Sequence, residues 1–278
     1  MQRALIAMFR VLPLWLLYGI MALVVPFYMI FNRKGYLSMY HFFREGFGYG
    51  KWKSFWFVYA NHFRFGQIIL DRFGVYAGKK YQFVSDGQHL FDDKETHPEG
   101  FVMLSSHVGN YEIAGYMLKP KYKRYNALVY SGETETMMEN RQRVFSQNNV
   151  RMVPVKEDMS HLFVLNAALD DGEIVSMPAD RIFGSQKSVE CQFLGQTAHL
   201  PLGAFAMAAQ KETDTLAVFV MKEGMKKYHL YIFEIQCDRN LNKRDQMKQL
   251  AQNFANCLED MVKRYPAQWF NYYEFWKQ

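Results

Sequence analysis

One long uncharged stretch near the N-terminus restricts what this chain can fold into more than any other feature. Val11 to Phe31 read VLPLWLLYGIMALVVPFYMIF, with Arg3 and Arg10 before them and Arg33 and Lys34 after them. About twenty residues, at about 1.5 Å per helical residue, match a bilayer core of about 30 Å. Because so apolar a helix needs apolar surroundings on most sides, we expect an N-terminal membrane-anchor helix.

The sequence leaves the manner of attachment open. Pro13 and Pro26 interrupt a straight span, although membrane helices tolerate proline, so an in-plane or re-entrant anchor fits as well as a spanning one. A cleavable signal peptide does not fit, because no small-residue cleavage site follows the stretch. Basic residues on both sides leave the orientation undecided.

A second segment close to the anchor mixes aromatic and basic side chains. We predict a helix over Lys51 to Arg72, whose composition suits a bilayer interface and a protein core equally well. The aromatic and basic residues concerned are Trp52, Trp56, Phe57, Tyr59, Phe63 and Phe65, with Lys51, Lys53, His62 and Arg64.

Composition narrows the class of protein and of partner. Half of the residues are hydrophobic and 17% are aromatic, while the charged fraction of 22% is that of an ordinary globular protein. The net charge of +6 is scattered along the chain and favours anionic partners without choosing among acidic proteins, phosphorylated lipids and nucleic acid. Cys191, Cys237 and Cys257 are isolated, so we expect reduced thiols in a cytoplasm-facing protein.

From Tyr81 onward, short apolar runs alternate with helix-like segments, which is typical of an α/β fold on a largely parallel sheet. The predicted strands are Tyr81–Val84, Gly100–Leu104, Arg124–Val129, Arg151–Val155, Glu173–Met177, Thr215–Met221 and Tyr228–Ile235. The predicted helices are Tyr111–Leu118, Glu133–Asn148, Ser160–Asp170, Gly203–Glu212 and Lys243–Arg264. No linker divides this region, so we expect an anchor at 1–35 and a single domain at 36–278, with its central sheet flanked by helices.

The stretch LSSHVGNYE places His107 five residues before Glu112, directly after an apolar run. Five residues turn an ideal helix by about 500°, so the two side chains would point about 140° apart within one regular helix. Gly109 and Asn110 offer turn chemistry before the helix. We therefore expect His107 off the helix and Glu112 in its first turn, where Glu112 would hold a ring N–H while His107 acts as general base for a substrate hydroxyl.

Other interpretations of this stretch stay open. A covalent mechanism through Ser105 or Ser106 would lack the G-x-S-x-G elbow that presents such a nucleophile. A helix-capping serine with a partly buried His and a solvated Glu would give the same letters. Metal hydrolysis is disfavoured, because the His pair at i, i+4 is missing, and we predict no metal site.

Three blocks of the chain together resemble the lipid A biosynthesis late-acyltransferase family, within the wider class of acyltransferases that share an H-x4-D/E motif. The blocks are SSHVGNYEIAGYML at 105–118, GEIVSMPADRIFGSQKSVECQFLGQTAHLPLGAFAMAAQKET at 172–213 and RYPAQWFNYYEFW at 264–276. With the N-terminal stretch, the resemblance covers nearly the whole chain in the family's order. It implies a bacterial inner-membrane protein whose catalytic domain faces the cytoplasm, and which needs no cofactor beyond acyl carrier protein or CoA as acyl donor.

Carried over residue by residue, the resemblance makes His107 the general base and Glu112 its acidic partner in an HX4E motif. Asp180 corresponds to an acidic residue that ends a strand before a loop containing Gly184, and the resemblance implies that both residues belong to the substrate-binding site. Arg181 departs from the glutamine common in the family, and a guanidinium there would bind a phosphate of carrier or acceptor. The alternative is a structural Asp180/Arg181 pair.

The segment between the first two blocks, VYSGETETMMENRQRVF, departs from the arginine-led pattern of the family. Arg141 or Arg143 would supply the positive charge that helps to hold the acceptor, so the departure bears on acceptor identity more than on reaction type. We expect the aromatic residues of 264–276 to close the core or contact an interface, and His161 and His199 to be structural.

The resemblance implies an enzyme that transfers a fatty acyl chain from acyl carrier protein to a hydroxyl of a lipid A-type or related lipid. The expected partners are acyl carrier protein, the lipid acceptor and the membrane, and not nucleic acid. One alternative is a glycerolipid or lysophospholipid acyltransferase that uses acyl-CoA, although that class usually has Asn before the His and Asp as the acid, where this chain has Ser106 and Glu112. The other is a non-catalytic, membrane-tethered lipid-binding protein.

Overall fold

The N-terminal part of the chain is helical and leads onto one face of a sheet. A computed structural model describes residues 9–113, 118–129, 149–182 and 187–277. The first helices are α1 (Leu14–Phe31), α2 (Arg33–His41) and α3 (Lys51–Tyr76), with a π-helical turn at Phe42–Gly46. Helices α1 and α3 pack closely, because a Cβ on Gly66 would lie 2.6 Å from the sulfur of Met21.

A seven-stranded sheet forms the centre of the described residues, in the order β1-β9-β8-β2-β5-β3-β4. Its strands are β1 (Gln82–Asp86), β2 (Phe101–Ser105), β3 (Tyr125–Val129), β4 (Val150–Pro154), β5 (Ile174–Pro178), β8 (Thr215–Lys222) and β9 (Lys227–Glu234). Only β8 and β9 pair antiparallel within this sheet. A separate hairpin of β6 (Ser188–Phe193) and β7 (Gln196–Pro201) packs on α7 (Lys243–Arg264), and the other helices are α4 (Gln88–Thr96), α5 (Ser160–Asp170) and α6 (Leu202–Lys211).

The predicted α/β class, with a largely parallel sheet between helices, is confirmed, and each of the seven predicted strands is a strand of the central sheet. The hairpin β6–β7 was not predicted. Leu194 and Gly195 in its turn have φ of 51° and 74°. Hairpin turns of this kind usually have Asn, Asp or Gly at the first position, so leucine there does not indicate a turn. Helices α2 and α4 were also missed, while the predicted helix Glu133–Asn148 and the end of Tyr111–Leu118 fall largely outside the described residues.

Helix α3, which includes the predicted helix Lys51 to Arg72, has both exposed aromatic residues and a buried part. Trp52 and Trp56 are exposed, whereas Val58, Asn61 and His62 are buried against the rest of the protein. The N-terminal end of α3 therefore presents aromatic surface, and the remainder of the helix contributes to the core.

A completely buried ion pair ties α3 to the sheet. The carboxylate of Asp71 lies 2.6 Å from Nζ of Lys222, and neither side chain is exposed. Asp71 also accepts hydrogen bonds from the hydroxyls of Tyr18, Tyr81 and Tyr228. Buried charges are tolerated only when they are paired and hydrogen bonded in this way. Because its partners come from different elements, Asp71 joins α3 to α1 and to the strands β8 and β9.

Removing one partner of this ion pair should destabilise the protein strongly. Lys222→Ala leaves the Asp71 charge buried, and we expect a loss of about 3–5 kcal/mol in the free energy of unfolding, measured by denaturant titration in detergent. Lys211→Ala is the matched control, since it breaks a partly exposed pair with Asp170 and should cost less than about 1 kcal/mol. Equal losses in the two variants would contradict the structural role of the buried pair.

Candidate functional site

The site is assembled where two neighbouring parallel strands end. Strands β2 and β5 pair with Ser105 opposite Pro178, and the N–H of Ala179 continues the ladder to the carbonyl of Ser105 at 2.9 Å. His107 and Asp180 each lie two residues beyond these opposed positions. The carboxyl ends of parallel strands form the edge at which α/β folds bind ligands, and the register brings this histidine and this carboxylate together there.

His107 is held by the carboxylate of Asp180 at two points. Its ring Nδ1 lies 2.9 Å from Oδ1, and its backbone N–H donates to Oδ2 at 2.8 Å. The indole N–H of Trp269 donates to the same Oδ2 at 3.0 Å. Asp180 is only 2% exposed, so its lone pairs are directed at protein donors and not at solvent.

The ionisation of Asp180 decides which nitrogen of His107 carries the proton. Burial raises the pKa of the Asp180 carboxyl, but the charge of His107 and the hydrogen bonds from His107 and Trp269 outweigh burial and hold the pKa below its ordinary value. An ionised carboxylate only accepts hydrogen bonds, so Nδ1 of His107 is the donor, and in the neutral form of the ring the lone pair is on Nε2. The His107 side chain is 27% exposed, and this tautomer suits a general base.

The backbone around His107 is clamped between the C-terminal segment and β8. The N–H of Phe270 donates to the carbonyl of His107 at 3.1 Å, and the N–H of Gly109 donates to the carbonyl of Gln268 at 2.7 Å. Gly109 has φ of 68°, and a Cβ there would lie 2.1 Å from the carbonyl oxygen of Val220. Glycine is therefore required at this position by both conformation and space.

A helix begins directly after this turn. The side-chain oxygen of Asn110 accepts from the N–H of Ile113 at 3.3 Å, which is the hydrogen bond of an N-cap. The helix starts at Tyr111, so His107 lies outside it and Glu112 lies in its first turn. This is the arrangement that the five-residue spacing predicts.

Glu112 is supported by α3. Its carboxylate lies 2.6 Å from Nε of Arg72 and accepts from the hydroxyl of Tyr76 at 3.0 Å, and it is buried. The sequence assigned the ring N–H of His107 to Glu112, and the structure corrects that assignment, because Asp180 takes the hydrogen bond from Nδ1. Asp180 reaches His107 because β5 lies beside β2 in the sheet. The spacing of residues along the chain carries no information about strand order.

Arg181 contacts the C-terminal segment and forms no ion pair with Asp180. Its Nη2 donates to the carbonyl of Phe270 at 3.2 Å, and its guanidinium carbon lies 4.9 Å from the ring centre of Tyr273. The hydroxyl of Tyr273 in turn donates to the carbonyl of Asp180 at 3.2 Å. A direct Asp180/Arg181 ion pair is therefore not the arrangement that the structure adopts. Gly184, Arg141 and Arg143 lie outside the described residues.

The aromatic C-terminal block does more than the predicted closure of the core. Trp269 and Phe275 are buried and pack edge to face, with ring centres 4.8 Å apart. The hydrogen bond from the indole N–H of Trp269 to Asp180 was not predicted from the sequence. The available signal was that a buried tryptophan usually finds a hydrogen-bond acceptor. His161 has a local partner, since its Nδ1 accepts from the N–H of Lys156 at 3.1 Å.

No group of three or more His, Cys, Asp or Glu side chains within residues 9–113, 118–129, 149–182 and 187–277 is placed to hold a metal ion. Cys191, Cys237 and Cys257 are free thiols.

One family model and one solved structure are similar to this chain. The model of the bacterial lipid A biosynthesis acyltransferase family matches residues 72–278. A solved structure, the 1-acyl-sn-glycerophosphate (LPA) acyltransferase PlsC from Thermotoga maritima, is similar at 11% identity and a TM-score of 0.41, over 92% of this chain and 99% of that chain. No curated protein matches. The family match includes His107, Glu112 and Asp180.

Trp269→Phe should weaken the hold on Asp180 in a pH-dependent way. Because the folded-state pKa of Asp180 is depressed, its contribution to stability is full above the pKa of an unfolded aspartate, about 3.9, and is lost as the pH falls through the folded-state value. Losing one donor to this carboxylate should cost about 1–3 kcal/mol at pH 7. The difference from wild type should shrink below about pH 4, measured by unfolding at a series of pH values.

Trp276→Phe is the matched control, because the indole N–H of Trp276 is buried and makes no hydrogen bond within the described residues. It makes a similar change in ring size without removing a donor to a carboxylate. We expect a smaller loss with no change below about pH 4. The same pH dependence in both variants would mean that Trp269 does not act on the charge of Asp180.

Proposed function

Because the chain belongs to the bacterial lipid A biosynthesis acyltransferase family, we propose that it transfers a fatty acyl chain from acyl carrier protein to a hydroxyl of a lipid A-type or related lipid. That the chain is an acyltransferase follows from the family. The donor, the acceptor and the catalytic residues are the parts that we propose. The observation that supports them most is the His107–Asp180 pair, which leaves the Nε2 lone pair of His107 available as a base.

In the proposed reaction, Nε2 of His107 takes the proton of the acceptor hydroxyl, and that oxygen attacks the thioester carbonyl of the donor. The tetrahedral intermediate carries the negative charge on the former carbonyl oxygen. Its collapse forms the ester and breaks the carbon–sulfur bond. The departing sulfur takes the proton back from His107, so the enzyme returns to its starting state and no nucleophilic side chain is needed. Asp180 stabilises the imidazolium through Nδ1–H.

Glu112 provides a second carboxylate in this proposal. Arg72 and Tyr76 hold it in the first helical turn after His107, and its negative charge would favour the imidazolium that forms during the reaction. We keep Arg181, Gly184, Arg141 and Arg143 as proposed contacts to the substrates. No cofactor is part of the proposal, since acyl carrier protein or CoA enters as the donor substrate.

The anchor and the domain that follows it complete the proposal. Helix α1 is long and apolar enough to cross a membrane, and only 28% of it is buried. Its exposed residues include Trp15, Leu23, Phe27, Ile30 and Phe31. We propose that residues 1–35 anchor the chain in a bacterial inner membrane and that residues 36–278 form an acyltransferase domain on the cytoplasmic side, where a basic protein would meet an acidic acyl carrier protein.

Variants of the proposed base and of the carboxylate that orients it test the reaction. His107→Ala should lower turnover of a labelled acyl donor by about 10²–10⁴-fold, the usual contribution of a general base. Asp180→Asn should cost a comparable factor, because an amide in place of the carboxylate no longer favours the proton on Nδ1. Turnover is measured as labelled acyl chain that appears in lipid extracts.

The control for these variants is His199→Ala, which removes a partly exposed histidine whose Nδ1 is 3.5 Å from the hydroxyl of Ser188. It should leave turnover near the wild-type rate. Undiminished transfer by a folded His107→Ala protein would end the proposal, and undiminished transfer by Asp180→Asn would end the role given to Asp180.

Membrane attachment is tested on the exposed side of α1. Phe27→Glu places a charge on a residue that is 64% exposed, and because charged groups are expelled from hydrocarbon we expect binding to anionic lipid vesicles to fall by about tenfold or more. Phe163→Glu makes the same change on α5 at a similarly exposed phenylalanine and should leave binding unchanged. Equal vesicle binding by both variants would contradict an α1 anchor.

A further inference from the structure

We propose that Gln268 and Asn61 are positioning residues for His107, the proposed base. Their side-chain amides hold the backbone segment 267–270, and this segment holds the turn that carries His107. The inference rests on the proposed function, since it concerns the residue that takes the proton. It adds two buried amides that act through the backbone and not through contact with a substrate.

The segment 267–270 runs antiparallel beside the turn that carries His107. The N–H of Gly109 donates to the carbonyl of Gln268 at 2.7 Å, and the N–H of Phe270 donates to the carbonyl of His107 at 3.1 Å. These two hydrogen bonds attach both sides of the turn to the segment. A displacement of the segment therefore displaces His107 with it.

The side-chain amide of Gln268 attaches the segment to the end of β8. Its Oε1 accepts from the backbone N–H of Lys222 at 2.9 Å, and its Nε2 donates to the backbone carbonyl of the same residue at 2.9 Å. Strand β2 pairs with β8 up to Ala217, and further along this edge the amide takes the place of a neighbouring strand. Gln268 is buried, so solvent does not compete for either bond.

Asn61 attaches the same segment to α3. Its Nδ2 donates to the carbonyl of Trp269 at 2.7 Å and to that of Ala267 at 3.4 Å, and its side chain is completely buried. The carbonyl of Gln268, between these two, accepts from Gly109. Three successive carbonyls are thus occupied, and the segment is fixed from α3 on one side and from β8 on the other.

Both members of the acid–base pair depend on this segment. Trp269 donates its indole N–H to Asp180 at 3.0 Å, and Phe270 binds the carbonyl of His107. The hydrogen bond from Nδ1 of His107 to Asp180 weakens steeply when its geometry is distorted, and Nε2 has to be aligned with the acceptor hydroxyl. Because a misplacement of about 1 Å can cost about 100-fold in rate, we expect the two amides to affect the chemical step.

Gln268→Met tests the first amide in the full chain in nanodiscs. Methionine fills a similar volume without either hydrogen bond, so we expect kcat to fall about 10–100-fold while KM for the acyl donor stays within about twofold. Gln246→Met is the matched control, because this glutamine is also buried and donates to the carbonyls of Arg239 and Leu241. It should lower the melting temperature by a similar amount and leave kcat within about twofold of wild type.

Asn61→Leu removes the donor on the α3 side and should lower kcat about tenfold or more at an unchanged KM. Undiminished kcat in a folded Gln268→Met or Asn61→Leu protein would end the role given to that residue. A raised KM with kcat unchanged would contradict positioning of the base. An equal loss of kcat in Gln246→Met would do the same, because any loss of a buried amide would then have this effect.

Gln268→Glu keeps the proposal testable if Gln268→Met does not fold. A carboxylate accepts from the N–H of Lys222 but cannot donate to its carbonyl, whereas the protonated acid does both, as the amide does. Burial raises the pKa of a glutamic acid above its ordinary value of about 4.3. The kcat of this variant, divided by that of wild type at the same pH, should therefore rise as the pH is lowered from about 9 to about 5.5. Taking the ratio removes the effect of protonating His107 itself, and a ratio that is independent of pH would overturn the role of the amide.

A spectroscopic measurement separates failure of this inference from failure of the proposed function. The Nδ1–H proton of His107 is recorded by nuclear magnetic resonance in protein with isotope-labelled histidine, and it is assigned by its loss in His107→Ala. Gln268→Met should shift this resonance, and Gln246→Met should not. A wild type that consumes no acyl donor would count against the proposed function, whereas an unmoved resonance in Gln268→Met would count against the positioning role.

Discussion

The parallel pairing of β2 with β5 is the constraint on which the site depends. Because Ser105 lies opposite Pro178, the residues two positions further along each strand meet, and these are His107 and Asp180. A shift of one residue in this register would turn each side chain to the other face of the sheet. The buried apolar residues of both strands resist such a shift, so core packing sets the geometry of the acid–base pair.

The two carboxylates of the proposed site, Asp180 and Glu112, are supported by different parts of the structure. Asp180 receives N–H donors from the His107 backbone and from Trp269, an arrangement that keeps it ionised and orients the imidazole. Glu112 is held by Arg72 and Tyr76, both on α3. Asp180 follows strand β5 of the sheet. Glu112 connects the helix that begins at Tyr111 to α3, which packs on α1.

Much of this architecture follows from local sequence patterns, and the remainder depends on contacts between distant segments. The apolar runs Gly100–Leu104 and Glu173–Met177 indicate strands, and the His107–Glu112 spacing indicates a turn before a helix. No local pattern says that β5 lies beside β2, so the partner of His107 was assigned to Glu112 and not to Asp180. The N–H of Trp269 was missed for the same reason, since its acceptor is 89 residues away in the chain.

The buried cluster at Asp71 has a consequence for how this protein can be shortened. Tyr18 on α1 donates its hydroxyl to Asp71, and Leu14, Leu17, Val25 and Met29 bury their side chains on the same helix. A chain that lacks residues 1–35, shortened to improve solubility, would lose that hydroxyl and uncover the apolar surface beneath α1. The apolar helix is therefore part of the packed structure as well as a candidate for lipid contact. Removing it in order to work without detergent would destabilise the rest of the fold.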